Sequence, residues 1–333
     1  MNSETTGDRY NIGAPQNIID SAFISEYRKD YAGAEAHNVW GVIKIFILTF
    51  GIVLGIPLIR FICRDSSADA FWPYLRKVLI PALLIFLFIA AVYLRTSSSA
   101  MISDDSVVYG RLVPMMVNSL FGTDVIYSRT KAPDSAQFMR LNFFEHRPDE
   151  IKGSDLLSGV YKGVNFKCSY ENAEYTEKDG EGDSYTYSTF CGIMLALPYR
   201  KTSGSMLGLR GRTEQEIKDR KGMRSFGRRI GKTENDEFNR LFYIMSYDDE
   251  NLFYMLTPDV MEKLIMLYRS LDSFSKRLHV CFSEDTLYIG IPAKNFLRHR
   301  YVAPNEAALK KVQQKLWDNL KTVRAVLDMA VTL

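Results

Sequence analysis

The sequence predicts an α+β protein: a two-helix transmembrane hairpin, then a soluble domain with a mainly antiparallel sheet and flanking helices. Three observations lead there. Two apolar runs, IFILTFGIVLGIPLI (Ile45–Ile59) and VLIPALLIFLFIAAVYL (Val78–Leu94), stand near the N-terminus with no charge in their middles. Beyond them, segments with a period of two come in pairs separated by helical segments. That order differs from the regular strand–helix alternation of a parallel sheet. Finally, a long stripe of apolar residues at helical spacing closes the chain.

A spanning helix needs about 20 mostly apolar residues, with a range of ~17–25. Both runs are at the short end, and a snorkelling Lys44 lengthens the first. Trp40, Trp72, Tyr74 and Tyr93 sit near the ends, where amphipathic rings favour the headgroup region. Pro57 and Pro81 are close to termini, where a lost backbone donor matters least. The polar first 38 residues carry no apolar stretch of a cleavable signal, so the hairpin is expected to be retained with both chain ends on one side. Two arguments about sidedness oppose each other. Counted close to the helix ends, Arg60, Arg64, Arg76 and Lys77 between the runs slightly favour an inward loop, since of the basic residues outside only Lys44 and Arg95 are near, with Arg28, Lys29 and Arg111 farther off. Cys168, Cys191 and Cys281, scattered in strand-like runs with no C-x-x-C, favour a reducing compartment for the large domain. The second argument is followed: a multi-pass protein of the inner membrane with a cytoplasmic domain.

The chain then divides into residues 1–38, polar with a short helix over Asp20–Asn38; 39–94, the hairpin; 95–134, a linker and helix; 135–300, the α+β domain; and 301–333, an amphipathic helix. Asp104, Asp105 or Ser106 can cap a helix over VVYGRLVPMMVNSLF, with Val107, Val108, Leu112, Met115, Met116 and Leu120 on one face. Leu156–Tyr161 and Val164–Tyr175 read as a hairpin about Lys162-Gly163. In the return strand Val164, Phe166, Cys168 and Tyr170 share one face, and Asn165, Lys167 and Ser169 the other. Tyr185–Tyr199 is a third strand, apolar in its second half. A short helix from Glu214 to Lys221, a strand over Leu241–Tyr247 and a helical turn capped by Asp248 or Asp249 follow. Thr257-Pro258 opens a clear helix with Val260, Leu264, Leu267, Tyr268 and Leu271 inward. A second hairpin is expected over RLHVCFSEDTLYIGIP, turning at Glu284-Asp285. The last helix, from about Pro304 to Val331, carries Leu309, Val312, Leu316, Leu320, Val323 and Leu327.

In that order, KGVNFKCSYENAEY, GIMLALPYRK, EFNRLFYIMSYDDENLFYMLTPDVMEKLIMLY and LHVCFSEDTLYIGIP resemble the bacterial membrane family catalogued as domain of unknown function 3137. The resemblance extends from about Asp20 to the C-terminus and is most specific at YMLTPDVMEKL and the segment after it. It implies two N-terminal spans before an α+β domain and a LemA-type membrane protein as partner. It carries over no catalytic residue. The family commonly shows a Phe-Lys-Gly-type turn where this chain has Tyr199-Arg200-Lys201, so a differently shaped loop is expected there.

No motif announces chemistry. His37, His146, His279 and His299 lack metal-ligand spacing, and Asp179, Glu181 and Asp183 give only half of a calcium loop. Gly204, Gly208 and Gly211 near Arg210 and Arg212 fit a flexible loop and lack the phosphate-loop pattern. Neither cofactor nor catalytic residue is expected. The net charge of +3 names no partner, but between Arg200 and Lys232 eleven basic residues face three acidic ones. Arg200, Lys201, Arg210, Arg212, Arg220, Lys221, Arg224, Arg228, Arg229 and Lys232 are the candidate contacts to an anionic lipid surface. Nucleic acid is disfavoured, since Phe226 alone is aromatic in the 200–232 stretch. The function expected is that of a membrane-anchored, non-enzymatic adaptor or regulator that binds a protein partner. The alternative is a membrane-tethered enzyme whose site is assembled from residues distant in sequence.

Overall fold

The computed structural model describes residues 18–33, 40, 43–44, 47–48, 107–131, 138–141, 144, 146–180, 182–219, 230–271, 277–299 and 302–333. The two apolar runs thus lie almost wholly outside the described residues. Among the described residues, no helix is long and apolar enough to cross a membrane. Two compact units are present. One takes in Ile18, Tyr109–Leu297 and Lys311–Leu333, and the other the described residues from Ile19 to Val108 with Arg298–Lys310.

The smaller unit begins with helix α1, residues 21–33, capped where the Asp20 carboxylate accepts from the Phe23 amide at 2.6 Å. Phe23 and Tyr27 are fully buried, and the Val302 amide donates to the Tyr27 hydroxyl at 3.0 Å.

The larger unit is α+β with an antiparallel sheet of seven strands: β1 Val125–Ser128, β2 Glu150–Tyr161, β3 Val164–Lys178, β4 Ser184–Gly211, β5 Ile230–Gly231, β6 Phe242–Met245 and β7 His279–Pro292. Helix α2, Val113–Phe121, follows a π-turn, Val108–Leu112. Then come α3 Glu214–Lys218, α4 Asp236–Leu241, α5 Asp249–Met255, α6 Pro258–Ser270 and α7 Glu306–Ala330, whose residues from Lys311 onward belong to this unit. The expected apolar face before Phe121 is buried at Val107, Val108, Leu112, Met116 and Leu120, while Met115 is exposed. The inward sets of α6 and α7 are buried as their spacing requires.

The β2–β3 hairpin turns at Lys162 (φ 49°) and Gly163 (φ 80°), the left-handed pair that a two-residue hairpin demands. Two expectations are corrected. Arg200–Gly211 is the second half of β4, a strand that runs unbroken from Ser184, and no loop; Gly208 pairs with both Met245 and Cys281. The segment after α6 is one long strand and no hairpin. β7 lies antiparallel to β4 along its whole length, pairing His279–Phe282 with Leu207–Arg210 and Thr286–Pro292 with Gly192–Pro198. At Glu284 (φ 53°) β7 bends to follow a bulge in β4, and the chain direction never reverses. β3 and β6 share one edge of β4, and β7 takes the other.

Register fixes which residues share a face. Leu157, Cys168, Leu195 and Ile289 form a row across four strands, each at most 2% exposed. Burying such side chains contributes roughly 1.5–3 kcal/mol each. This face receives α2 and α7. The Phe121 ring packs against Tyr161 at 5.7 Å, and the Tyr161 hydroxyl donates to Asp328 at 2.8 Å. On the other face, Phe138, Leu141 and Phe144 cover Ile151, Ala173, Phe190, Met194 and Tyr288.

Candidate binding surface

The basic residues are not equivalent. Arg200 is exposed on β4, and Lys232 is exposed just past β5. Arg210 is tied to Glu216 at 2.6 Å and lies over the Tyr243 ring at 5.1 Å. Arg212 lies over the same ring at 4.7 Å and donates to the Glu216 carbonyl at 3.1 Å. Glu216 in turn completes a reciprocal cap with Thr213 at the start of α3. Burial raises the Glu216 pKa, but the Thr213 amide, Arg210 and the other donors outweigh it and leave the carboxyl below its usual range. Arg220, Lys221, Arg224, Arg228 and Arg229 lie outside the described residues.

Lys201 marks a corner where β4 meets α5. Its ammonium donates to the Tyr254 carbonyl at 2.6 Å and lies 4.7 Å from the Tyr254 ring centre. Burial and then the Arg200 charge lower the Lys201 pKa. The corner exists because β4 bulges between Pro198 and Leu207 and Asn251 of α5 satisfies the freed backbone. The Asn251 Oδ1 accepts from the Gly204 amide at 3.0 Å, and its Nδ2 donates to the Ser205 carbonyl at 2.8 Å and to Ser203 Oγ at 3.1 Å. The outer side of α5 leaves Phe253 and Tyr254 exposed, and Tyr247 is exposed just before it. Tyrosine, phenylalanine and basic side chains in one place suit a surface that is apolar inside and anionic at its rim.

Two buried carboxyl groups escape sequence reasoning. Asp155 is the bulge residue of β2 (φ 57°) and is fully buried. Arg129 donates to both of its oxygens at 2.7 Å, the Tyr127 hydroxyl to Oδ1 at 2.7 Å and Ser154 to Oδ2 at 2.9 Å. Burial and then the Asp155 charge push the Tyr127 hydroxyl pKa far up. The cluster is saturated with internal bonds, and it pins β1 to the bulge. Glu171 differs. It lies 1% exposed on β3, opposite Gly153 on one side and Gly192 on the other. Ser169 donates to its Oε1, while Oε2 is buried with no hydrogen-bond partner. Burial raises the Glu171 pKa to about 7, against the Ser169 hydrogen bond.

Past the cover of Phe138 and Phe144, the same sheet face opens into a shallow groove of about 410 Å³ lined by Ser158, Lys167, Ala196, Pro198, Thr286 and Tyr288. Among the described residues no group of three or more His, Cys, Asp or Glu is placed to hold a metal ion. Cys168 and Cys281 are buried free thiols and Cys191 is half-buried, its sulfur 2.9 Å from the Tyr170 hydroxyl.

No curated protein matches the chain. The crystal structure of the mycobacterial trehalose monomycolate transport factor A, TtfA, is similar at 8% identity and a TM-score of 0.32, over 64% of this chain and 93% of that one. A likeness so low carries no argument. Residues 188–329, from the fourth strand to the last helix, match the family model described as "Protein of unknown function (DUF3137)", the family that the sequence resembles.

Proposed function

We propose that the protein is a membrane-anchored adaptor, held by the two apolar runs as a helical hairpin, whose α+β domain binds a protein partner beside an anionic lipid surface. The observation that carries this reading is at the start of the first run. Trp40, Ile43, Ile47 and Leu48 are helical and expose 61%, 39%, 64% and 68% of their surface. A helix of a water-exposed domain turns such side chains to a core; a lipid-facing helix turns them outward. The Arg200, Lys201, Phe253 and Tyr254 corner then supplies basic and aromatic side chains for headgroups, each basic one contributing about 1 kcal/mol near an anionic surface. A LemA-type membrane protein, suggested by the family resemblance, is the partner to test by co-purification.

The test is sedimentation of the domain from residue 107 onward with vesicles. The domain is expected to sediment with phosphatidylserine-containing vesicles, to be released by added salt, and to ignore neutral ones. Reversal of Arg200, Lys201, Arg220, Lys221, Arg228 and Arg229 to glutamate is expected to abolish the preference. Equal binding to both vesicle types would remove the lipid surface from the reading.

A further inference from the structure

We propose that the tip of the β3–β4 hairpin is a docking face for an arginine-bearing segment of a protein partner. This deepens the adaptor reading and rests on it. The hairpin outruns the sheet. β2 stops pairing with β3 at Glu174, and β7 stops pairing with β4 at Gly192. From Tyr175 to Tyr187 the two strands pair only with each other, in the register Tyr175↔Tyr187 and Glu177↔Tyr185.

Because cross-strand partners share a face and alternate residues return to it, Tyr175, Glu177, Tyr185 and Tyr187 occupy one side of this ribbon. Thr176, Lys178, Ser184 and Thr186 occupy the other. The first side is built of rings in series. His146 stacks on Tyr175 at 4.4 Å with planes 5° apart, and Tyr175 stacks on Tyr187 at 5.5 Å. Tyr185 and Tyr187 are 48% and 46% exposed. Large rings left open on a projecting two-stranded element are costly unless something covers them.

Charge complementarity names the occupant. The only charge on the ring-bearing side of the paired strands is the exposed carboxylate of Glu177, directly opposite Tyr185, and the turn adds the exposed Asp179 and Asp183. The one cation of the described tip, Lys178, is on the reverse side. Phosphates and acidic peptides are therefore repelled, and a cation is drawn to ring faces that a carboxylate borders. A guanidinium fits best, since it stacks flat on a phenol ring and still presents donors at its edge to Glu177. The ring ladder is long enough to take more than one such group. A ribbon that projects beyond the sheet also reaches a partner without moving the domain core.

The full chain in neutral detergent micelles is titrated with fluorescein-labelled nona-arginine, nona-lysine and a neutral Gly/Ser nonapeptide, and anisotropy is read. Nona-arginine is expected to bind several-fold more tightly than nona-lysine, and the neutral peptide not at all. The Tyr185→Ser/Tyr187→Ser double variant keeps every charge and changes only exposed residues. It is expected to weaken nona-arginine binding by about tenfold or more, as loss of two ring faces implies, with the unfolding temperature lowered by at most a few degrees through loss of the Tyr175–Tyr187 stack. Glu177→Gln is expected to weaken it by a smaller factor. Equal binding of the two basic peptides, or parent-like binding by the double variant, would overturn the proposal. So would self-association of the parent that the double variant loses, since that puts a second copy on the face. Failure here leaves the vesicle experiment unaffected, because its reversed residues are outside the tip.

Discussion

The Ser169 hydroxyl donates to Oε1 of Glu171 at 2.5 Å, from two residues away on the same face of β3, and leaves Oε2 with no hydrogen-bond partner in a buried site. A carboxyl so placed favours its neutral form. Its pKa rises from 4.5 to about 7 on folding, so between those values the folded state holds the proton that the unfolded state has lost. Stability from this group is full below pH 4.5 and is lost as pH rises through about 7, to a total of roughly 3 kcal/mol. Chemical unfolding at pH 5 and pH 8 is expected to show that loss in the parent. Glu171→Gln is expected to flatten the difference and to be the more stable protein at pH 8.

Arg129 and Asp155 form a pair whose halves are not equal. The aspartate side chain is 1% exposed, the arginine 20%. Removing the arginine strands a buried charge, whereas removing the aspartate leaves a guanidinium that reaches water. Arg129→Met is therefore expected to cost about 3–5 kcal/mol. Asp155→Asn, which keeps acceptor and donor groups and tolerates the left-handed backbone, is expected to cost less. Urea midpoints of the two variants give the comparison, and the reverse order would contradict it.

Asn251 joins α5 to the β4 bulge through hydrogen bonds to Ser203, Gly204 and Ser205. Asn251→Ala removes partners from the buried Ser203 hydroxyl and from the partly exposed backbone at Gly204 and Ser205, and is expected to cost about 1–2 kcal/mol. It is also expected to release the Lys201–Tyr254 contact, so vesicle binding falls with stability. Unfolding curves and sedimentation on the same sample test both halves.

Gly192 has no room for a side chain: a Cβ there would sit 2.1 Å from the Ile291 carbonyl oxygen. Gly192→Ala forces the β4–β7 ladder apart at its end and is expected to lower the unfolding temperature by several degrees. Amide exchange should quicken at Ile291 and Ala293 before it changes in β2.

Alkaline carbonate washing of native membranes is expected to leave the protein in the pellet, as two spanning helices require. Release into the supernatant would remove the hairpin.

What the sequence makes legible is what local chemistry alone determines. Lys162-Gly163 supplies the backbone of a tight turn, and Thr257-Pro258 opens a helix wherever the chain goes next; both are found in place. The second half of β4 is illegible because its glycines and arginines look like loop chemistry. β6 and β7, distant in sequence, supply the pairing that makes it a strand. Glu284-Asp285 reads as a turn for the same reason, and the positive φ at Glu284 is real; a strand alongside uses it for a bend instead. Ser169 falls on the polar side of its strand as the alternation requires, and Glu171 continues that side. Nothing local says that Phe138, Leu141 and Phe144 will cover that side and strand the carboxyl. Of the basic stretch, composition alone is visible; that Arg210 and Arg212 are spent on Glu216 and Tyr243 depends on α3 and β6 coming together.

The pairing of β4 with β7 also sets an order of events during synthesis. The β2–β3–β4 meander is complete as soon as Gly211 has emerged, but its last edge closes only when His279–Pro292 arrives. At ~5–20 residues per second a ribosome leaves that edge open for seconds, with Ile193, Leu195, Leu207 and Leu209 lacking their final neighbours. Nascent chains stalled between β6 and β7 should therefore be captured by holdase chaperones, and chains that have emerged past Ala330, with both β7 and α7 in place, should escape them.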